Sequence, residues 1–406
     1  MIKTSDGISN VNSDALEMLS EVLRCSKDEI LFIDIETTGL SPRDSEIYMI
    51  GAAYYSQGAW RISQFFADTQ DQEKEVLIQF SAFSKNYKKL VHFNGDRFDI
   101  PFLQKRYEEY GLQDPFVGME SYDIYKQIKP YKLQLGLPDC KQQTIEQFMG
   151  IKRDDDSDGG RLIAVYKEYE ESRDSELLKL LLLHNFDNVT GLLKLVPMLY
   201  YEHFFNMFRN MPKVSISTDE EIDEEKFMQS ITLEDGSKGK AIFPVRAIKV
   251  QANQYRDVEG KEKKEVYMKL CLPLELPSPI MRNTEGCYFK AVGKEAVLRV
   301  PLVEDELKYF YSNYKDYYYL PMEDVAIHKS LATFVDKQYR VKAKPENCYT
   351  RKVGQYLKEW DLVFTPFFKE DYEDKSFYFD LNQIMKKSRF GMSLYATHVI
   401  AHILDL

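Results

Sequence analysis

The sequence predicts an α/β domain, a mixed sheet with flanking helices, followed by a β-rich C-terminal domain. Three observations carry this expectation. Apolar or aromatic runs at Ile30–Ile33, Ile47–Tyr55 and Ala59–Phe66 follow one another as strands, the last two joined by Ser-Gln-Gly as a hairpin. Helical and strand-like segments then alternate, with 71–86 helical, Leu90–Phe93 a strand and Ile100–Tyr110 helical, the order in which strands enter a sheet through crossovers. Beyond Met207 the pattern turns to alternating runs. Ala241–Gln251 pairs with Glu265–Leu272 across the Asp257–Gly260 turn, and Cys287–Val292 with Ala296–Val300.

Taken in order, residues 12–24 form an amphipathic helix with Leu16, Leu19, Val22 and Leu23 on one face and Asn12 or Ser13 as cap. The helix at 71–86 presents Val76, Leu77, Phe80 and Phe83. The longest helical segment, Leu178–Leu199, has an apolar face that includes Leu181, Val189, Leu192 and Leu195. Asp219, Glu220, Glu221, Asp223, Glu224 and Glu225 crowd a stretch with no core pattern, which places a linker there. The expected division is a helical extension at 1–27, a first domain at 28–205, the acidic linker at 206–238 and a β-rich domain of unknown role at 239–406.

A chain of 406 residues with 44% apolar and 29% charged residues folds with a substantial core. A net charge of -11 excludes indiscriminate polyanion binding by the whole surface, so a nucleic-acid contact needs a local basic patch or bound metal ions. Five dispersed cysteines form neither a disulfide framework nor a zinc motif. The N-terminus lacks the apolar core of a signal peptide, and no window is long enough to span a bilayer, so a cytoplasmic protein without membrane attachment is expected.

The chemistry is organised around residues 30–40, Ile-Leu-Phe-Ile-Asp-Ile-Glu-Thr-Thr-Gly-Leu. A period-two strand turns Asp34 and Glu36 to the same face. Side by side without a partner they repel, and a divalent cation is the natural reason to build such a pair. The strand ends in a turn where Thr37 and Thr38 are candidate substrate contacts. A second acidic position follows the strand ending at Phe93, where Asn94 and Gly95 make the turn and Asp99 opens the next helix. Asn94 is placed to bond backbone, a carboxylate or substrate. On the long helix, His184 shares a face with Asp187 and Asn188, three and four residues on.

Three further features have two readings each. Arg153 in Arg153-Asp-Asp-Asp-Ser-Asp-Gly-Gly160 can meet a phosphate, or the segment is a solvated acidic loop. Asp123 can sit near metals or cap the following helix. In the C-terminal half, seven aromatics between Leu307 and Pro321 precede the cations Lys337, Arg340, Lys342, Lys344, Arg351 and Lys352. Such a mixture suits a single-strand guide, and equally a domain that packs its tyrosines on its own sheet.

Asp-Ile-Glu-Thr-Thr-Gly-Leu, Asn-Gly-x-x-Phe-Asp-x-Pro-Phe-Leu and His-Asn on a later helix resemble the three exonuclease motifs of the DEDD superfamily, which has the ribonuclease H-like fold. Gly150–Gly159 and Ser121–Tyr125 resemble, more narrowly, its YprB-like branch. The resemblance covers roughly residues 28–200. It implies a metal-dependent 3′ to 5′ exonuclease on single strands or 3′ ends, with DNA slightly favoured over RNA. Asp34, Glu36 and Asp99 would hold two Mg²⁺ or Mn²⁺ ions about 4 Å apart, and His184 would be the general base. The pattern's last aspartate falls at Asn188. Either Asp187 replaces it, or Asn188 is a weaker neutral ligand, or catalysis is lost. The alternatives are therefore a weak or inactive nucleic-acid or protein interaction module on the same fold, and a structure-specific endonuclease.

Overall fold

A computed structural model describes residues 1–154, 159–211, 215–230, 243–256 and 259–406. It divides into two compact units, Met1–Glu202 and His203–Leu406.

The first unit begins with a strand that sequence patterning does not reveal, β1 (Ile2–Gly7), then α1 (Ser13–Leu23), whose cap is Asn12 through Oδ1 to the Ala15 N–H at 2.9 Å. Strands β2 (Ile30–Thr37), β3 (Ile47–Ser56) and β4 (Ala59–Phe66) form the expected meander, with Gln57 and Gly58 at φ 52° and 80° in the tight turn between the last two. Next come α2 (Glu73–Ser84), β5 (Lys89–His92), α3 (Asp99–Glu109) and β6 (Glu120–Asp123). Helices α4 (Ile124–Ile128), α5 (Lys132–Leu135), α6 (Gln142–Phe148), α7 (Gly159–Ser172) and α8 (Ser175–Leu195) complete the unit.

The six strands form one mixed sheet in the order β1-β4-β3-β2-β5-β6. The first four are mutually antiparallel, while β2–β5 and β5–β6 are parallel. Parallel neighbours require crossovers, which α2 and α3 supply. The Ile30–Ile33 run is buried because β2 lies mid-sheet. One core, containing Leu31, Ile33, Phe65, Phe80, Phe102 and Tyr107, packs α2 and α3 on one side. A second, containing Tyr48, Phe66, Tyr166 and Leu181, packs α7 and α8. Val22, expected on the apolar face of α1, is instead exposed.

The second unit is rich in strands, with helices that include the end of Leu199–Arg209 and Glu224–Ser230, both inside the expected linker. In chain order the strands are β7 (Ile216–Ser217), β8 (Arg246–Arg256), β9 (Glu262–Thr284), β10 (Cys287–Pro301), β11 (Val303–Phe310), β12 (Tyr317–Leu320), β13 (Val325–His328), β14 (Val341–Lys342), β15 (Tyr349–Glu359), β16 (Phe364–Thr365), β17 (Phe367–Phe368) and β18 (Phe377–Asp380). They form sheets β10-β9-β8, β11-β15-β18-β17, β13-β12-β14 and β16-β7. The runs at Cys287–Val292 and Ala296–Val300 do not pair with each other. They are one strand, β10, which pairs with β9 and shifts register around Gly293, at φ 58°, where the bulge imitates a turn in sequence. Positions 241–242 at the start of the expected strand, 257–258 of the expected turn, and 212–214 and 231–238 of the expected linker lie outside the described residues. Helix Arg389–Leu404 is apolar nearly all round and shows no amphipathic signal, yet it seats on β8 with Ser393 Oγ accepting from the Ala247 N–H at 2.8 Å. No helix among the described residues is long and apolar enough to cross a membrane.

Glu359 ends β15 fully buried, its Oε2 accepting from the Val363 and Phe364 N–H groups at 3.1 and 2.8 Å. Its Oε1 has no hydrogen-bond partner among the described residues, and burial pushes its carboxyl up to about 8. The folded state therefore holds a proton that the unfolded chain releases above the ordinary carboxylate pKa. Stability falls as pH rises from that value to about 8 and is level beyond it. Glu359→Gln keeps the neutral acceptor. Relative to the parent, the variant gains stability between pH 5 and 8, on the order of a few kcal/mol, read as a growing difference in chemical-denaturation midpoint.

Candidate active site at the centre of the sheet

The β2–β3 register sets Asp34 opposite Gly51 and Glu36 opposite Met49. Helix α8 lies across this face, and Gly51 is what lets it approach. A Cβ there would stand 2.1 Å from Asn185 Oδ1 and 2.6 Å from Val189 Cγ2. Gln64 of β4 donates to the Leu182 carbonyl at 2.7 Å and to Asn185 Oδ1 at 3.1 Å. With its oxygen held by Gln64, Asn185 turns its Nδ2 to Asp34, 3.2 Å from Oδ2 and 3.4 Å from the backbone oxygen.

Asn188, one turn further along α8, donates from Nδ2 to Asp34 Oδ2 and to Glu36 Oε1, both at 3.2 Å. His184 completes the helix face, with Nε2 3.8 Å from Glu36 Oε1. Asp99 arrives from the other side as the first residue of α3, and its Oδ1 accepts from the Ile35 N–H at 3.2 Å, between the two acids of β2. Asp34, Glu36, Asp99 and His184 thus lie around the same stretch of β2.

Burial raises the pKa of Asp34, and the Asn188 hydrogen bond opposes part of that shift. Burial, then the charge of Asp34, pushes Glu36 and Asp99 well above the ordinary carboxylate range. Amides of Asn185, Asn188 and Ile35 donate to these acids, orienting their oxygens without neutralising them. Clustered hard oxygen donors whose charged forms are disfavoured by burial and by one another fit a divalent cation of the Mg²⁺ or Mn²⁺ type.

The third motif divides in two. Asp187 turns from the β2 acids, its Oδ2 accepting from the Asp154 N–H at 2.8 Å. Asn188 is the residue at the acids. Arg153, expected at a substrate phosphate, is instead directed inward. It pairs through Nε with Glu146, only 1% exposed, donates to Glu146 Oε1 at 3.0 Å, and donates to Asn188 Oδ1 at 2.8 Å. Gln142 supports the group, donating to Glu146 Oε1 and to the Asn188 carbonyl at 2.9 Å each. The neighbouring Asp155 to Asp158 lie outside the described residues.

The remaining candidates brace turns. Thr37 Oγ1 donates to the Gly39 carbonyl at 2.7 Å, and Thr38 Oγ1 accepts from the Glu46 N–H at 2.9 Å. Asn94, at φ 59°, donates its N–H to Asp123 Oδ1 at 2.8 Å, and Asp123 also caps α4 through the Tyr125 N–H at 3.1 Å. Asp123 belongs to a compact group with His92 and Asp96, their ligand atoms within 4.8 Å of one another, which is a second place where an ion could be held. Ser121 and Lys126 also bond Asp96, so a cation there competes with an ammonium group.

Asn185, Gln64 and Glu146 are missed by sequence reasoning. A signal existed for Asn185, three residues from Asn188 on one helical face, and for Gln64, a polar residue inside an apolar strand. In the second unit, the aromatic and basic run is internally engaged. Tyr317 stacks on Tyr311 with centroids 4.6 Å apart, Arg340 lies 4.9 Å from the Tyr318 ring centroid, and the Tyr319 hydroxyl donates to Asp324 at 2.6 Å. Arg351 pairs with Asp324 and Glu306, and Lys352 pairs with Asp380.

Residues 31–200 match the family model described as the RNase_H superfamily. The first unit is a ribonuclease H-like domain. Among solved structures, the chain is similar to the family B DNA polymerase from the hyperthermophilic archaeon Pyrobaculum calidifontis, at 18% identity and a TM-score of 0.36. The similarity covers 44% of this chain and 25% of that one, so the chain spans about a quarter of the polymerase's length. No curated protein matches the chain.

The ribonuclease H-like site depends on α8 seating on Gly51. Gly51→Ala forces the helix off β3, because the obstructing atoms belong to a hydrogen-bonded amide and a packed valine. The expected cost is roughly 1–3 kcal/mol of overpacking, measured as a lowered denaturation midpoint with retained sheet signal in circular dichroism.

Proposed function

We propose that the first unit is a divalent-metal-dependent nuclease of the DEDD type, a 3′ to 5′ exonuclease on single strands or 3′ ends, with DNA slightly favoured over RNA, in the YprB-like branch. The observation that carries this reading is the convergence of half-buried Asp34 with buried Glu36 and Asp99, with His184 beside Glu36 and amides of Asn185, Asn188 and Ile35 donating to the acids. When bound, divalent cations polarise a phosphodiester and lower the pKa of a coordinated water.

The chain's own residues perform the rest. Asp34, Glu36 and Asp99 hold the cation with oxygens aimed in advance by Asn185 and the Ile35 N–H. His184, on the rigid α8, takes a proton from the attacking water. Asn94 and the Thr37–Thr38 turn lie on segments adjoining the acids and are the proposed substrate contacts, and Arg153 acts from within through Asn188.

A second reading rests on Asn188, which presents N–H groups to Asp34 and Glu36 where the resemblance calls for a carboxylate. It makes the domain a weak or inactive nucleic-acid or protein interaction module. Incubation of the full chain with 3′-labelled single strands and Mn²⁺ or Mg²⁺ decides between them. Release of labelled mononucleotide, reduced roughly 100-fold or more by Asp34→Ala, is the expected outcome. Equal signal from parent and variant across metals rules out the enzyme.

A further inference from the structure

Asn188 has one atom able to coordinate a cation, Oδ1, and that atom is engaged by Arg153 at 2.8 Å. The engagement is not adjustable. Arg153 is held by Glu146, and Glu146 is buried and bonded in turn to Gln142. Gly191 allows this carboxylate to approach α8, since a Cβ there would stand 2.2 Å from Glu146 Oε1. Rotating the Asn188 amide would set its N–H groups against the guanidinium N–H groups and its oxygen against two carboxylates, so both new contacts would repel. The amide is therefore locked with Nδ2 toward Asp34 Oδ2 and Glu36 Oε1.

The other candidate for a fourth acid, Asp187, accepts from the Asp154 N–H on the Arg153 side. Three carboxylates remain, and one divalent ion nearly balances their charge. A second ion would find a hydrogen-bond donor in place of its ligand. We infer that the site binds a single divalent ion, with the Arg153-locked Asn188 amide standing in for the second ion against Asp34 and Glu36. This rests on the proposed metal-binding role of the three acids and specifies how many ions they take.

The test counts Mn²⁺ bound to the full chain by calorimetry and by electron paramagnetic resonance, subtracting the binding that survives in Asp34→Ala. The parent is expected to bind one ion at the Asp34-dependent site, and Asn188→Asp two. Asn188→Ala is expected to keep one ion with an affinity within about threefold of the parent, because the amide does not ligate it. Two ions in the parent overturn the inference and leave the nuclease reading standing. No Asp34-dependent ion in the parent overturns both. A tenfold or greater loss of affinity in Asn188→Ala, with unchanged circular dichroism, makes Asn188 a ligand and overturns the inference alone. So does a count of one in a folded Asn188→Asp.

Discussion

The contact on which the first unit depends is that of α8 with the middle of its sheet. Two acids lie on the face of β2 that this helix covers, and a helix can cover them only if it brings hydrogen-bond donors, since an unsatisfied buried carboxylate is expensive. Asn185 and Asn188 are those donors. Gly51 provides the space, Gln64 aims the first amide and Arg153 aims the second. Residues from β3, β4, α6 and the segment before α7 thus converge on how one helix addresses one strand.

Three other buried carboxylates, Glu73, Glu146 and Glu359, are handled differently, and the comparison is informative. Glu73 accepts from Arg106 Nε at 2.8 Å, from the Ile47 N–H at 2.8 Å and from the Tyr110 hydroxyl at 3.0 Å, tying α2, α3 and β3 together. Glu146 has Arg153. Glu359 escapes its charge by keeping its proton. In each, the charge is paired or removed, as burial demands. Asp34, Glu36 and Asp99 receive oriented amides, and their mutual repulsion persists. Arg153 reaches this group through the Asn188 oxygen rather than by a hydrogen bond to one of the three acids, an arrangement that leaves their oxygens suited to a cation from outside the chain.

Much of this was legible in the sequence because it is local. Period-two patterning aligned Asp34 with Glu36, a strand-turn-helix transition located Asp99, and helical spacing joined His184 to Asn188. What was hidden depends on contacts across long separations or on exceptions to patterning. The edge strand β1 is too polar to read as a strand, and its place beside β4 is a matter of pairing. The bulge in β10 interrupts alternation as a turn would. Helix Arg389–Leu404 lacks a polar face to mark it as a helix. The inward course of Arg153 could not be foreseen, because an arginine amid aspartates signals solvent, and its partner Glu146 lies in a separate helix. Likewise, the tyrosine-rich run displays rings and cations whose partners, Asp324 and Glu306, are evident only once the strands pair.

Asparagine and aspartate differ at one atom, so position 188 changes charge and hydrogen-bond polarity while keeping shape. In the third motif an aspartate would add a fourth negative charge to a site already raising its own pKa values, making the metal-free state costly and the doubly loaded state balanced. The amide does the reverse. It donates to two of the three acids, lowers the cost of the empty site and removes one ligand from the loaded one. Arg153 extends this logic, because its guanidinium holds the Asn188 oxygen and so fixes the rotamer that donates to the two acids. Residue 188 and residue 153 therefore act as a unit, and both oppose part of the shift that burial imposes on Asp34.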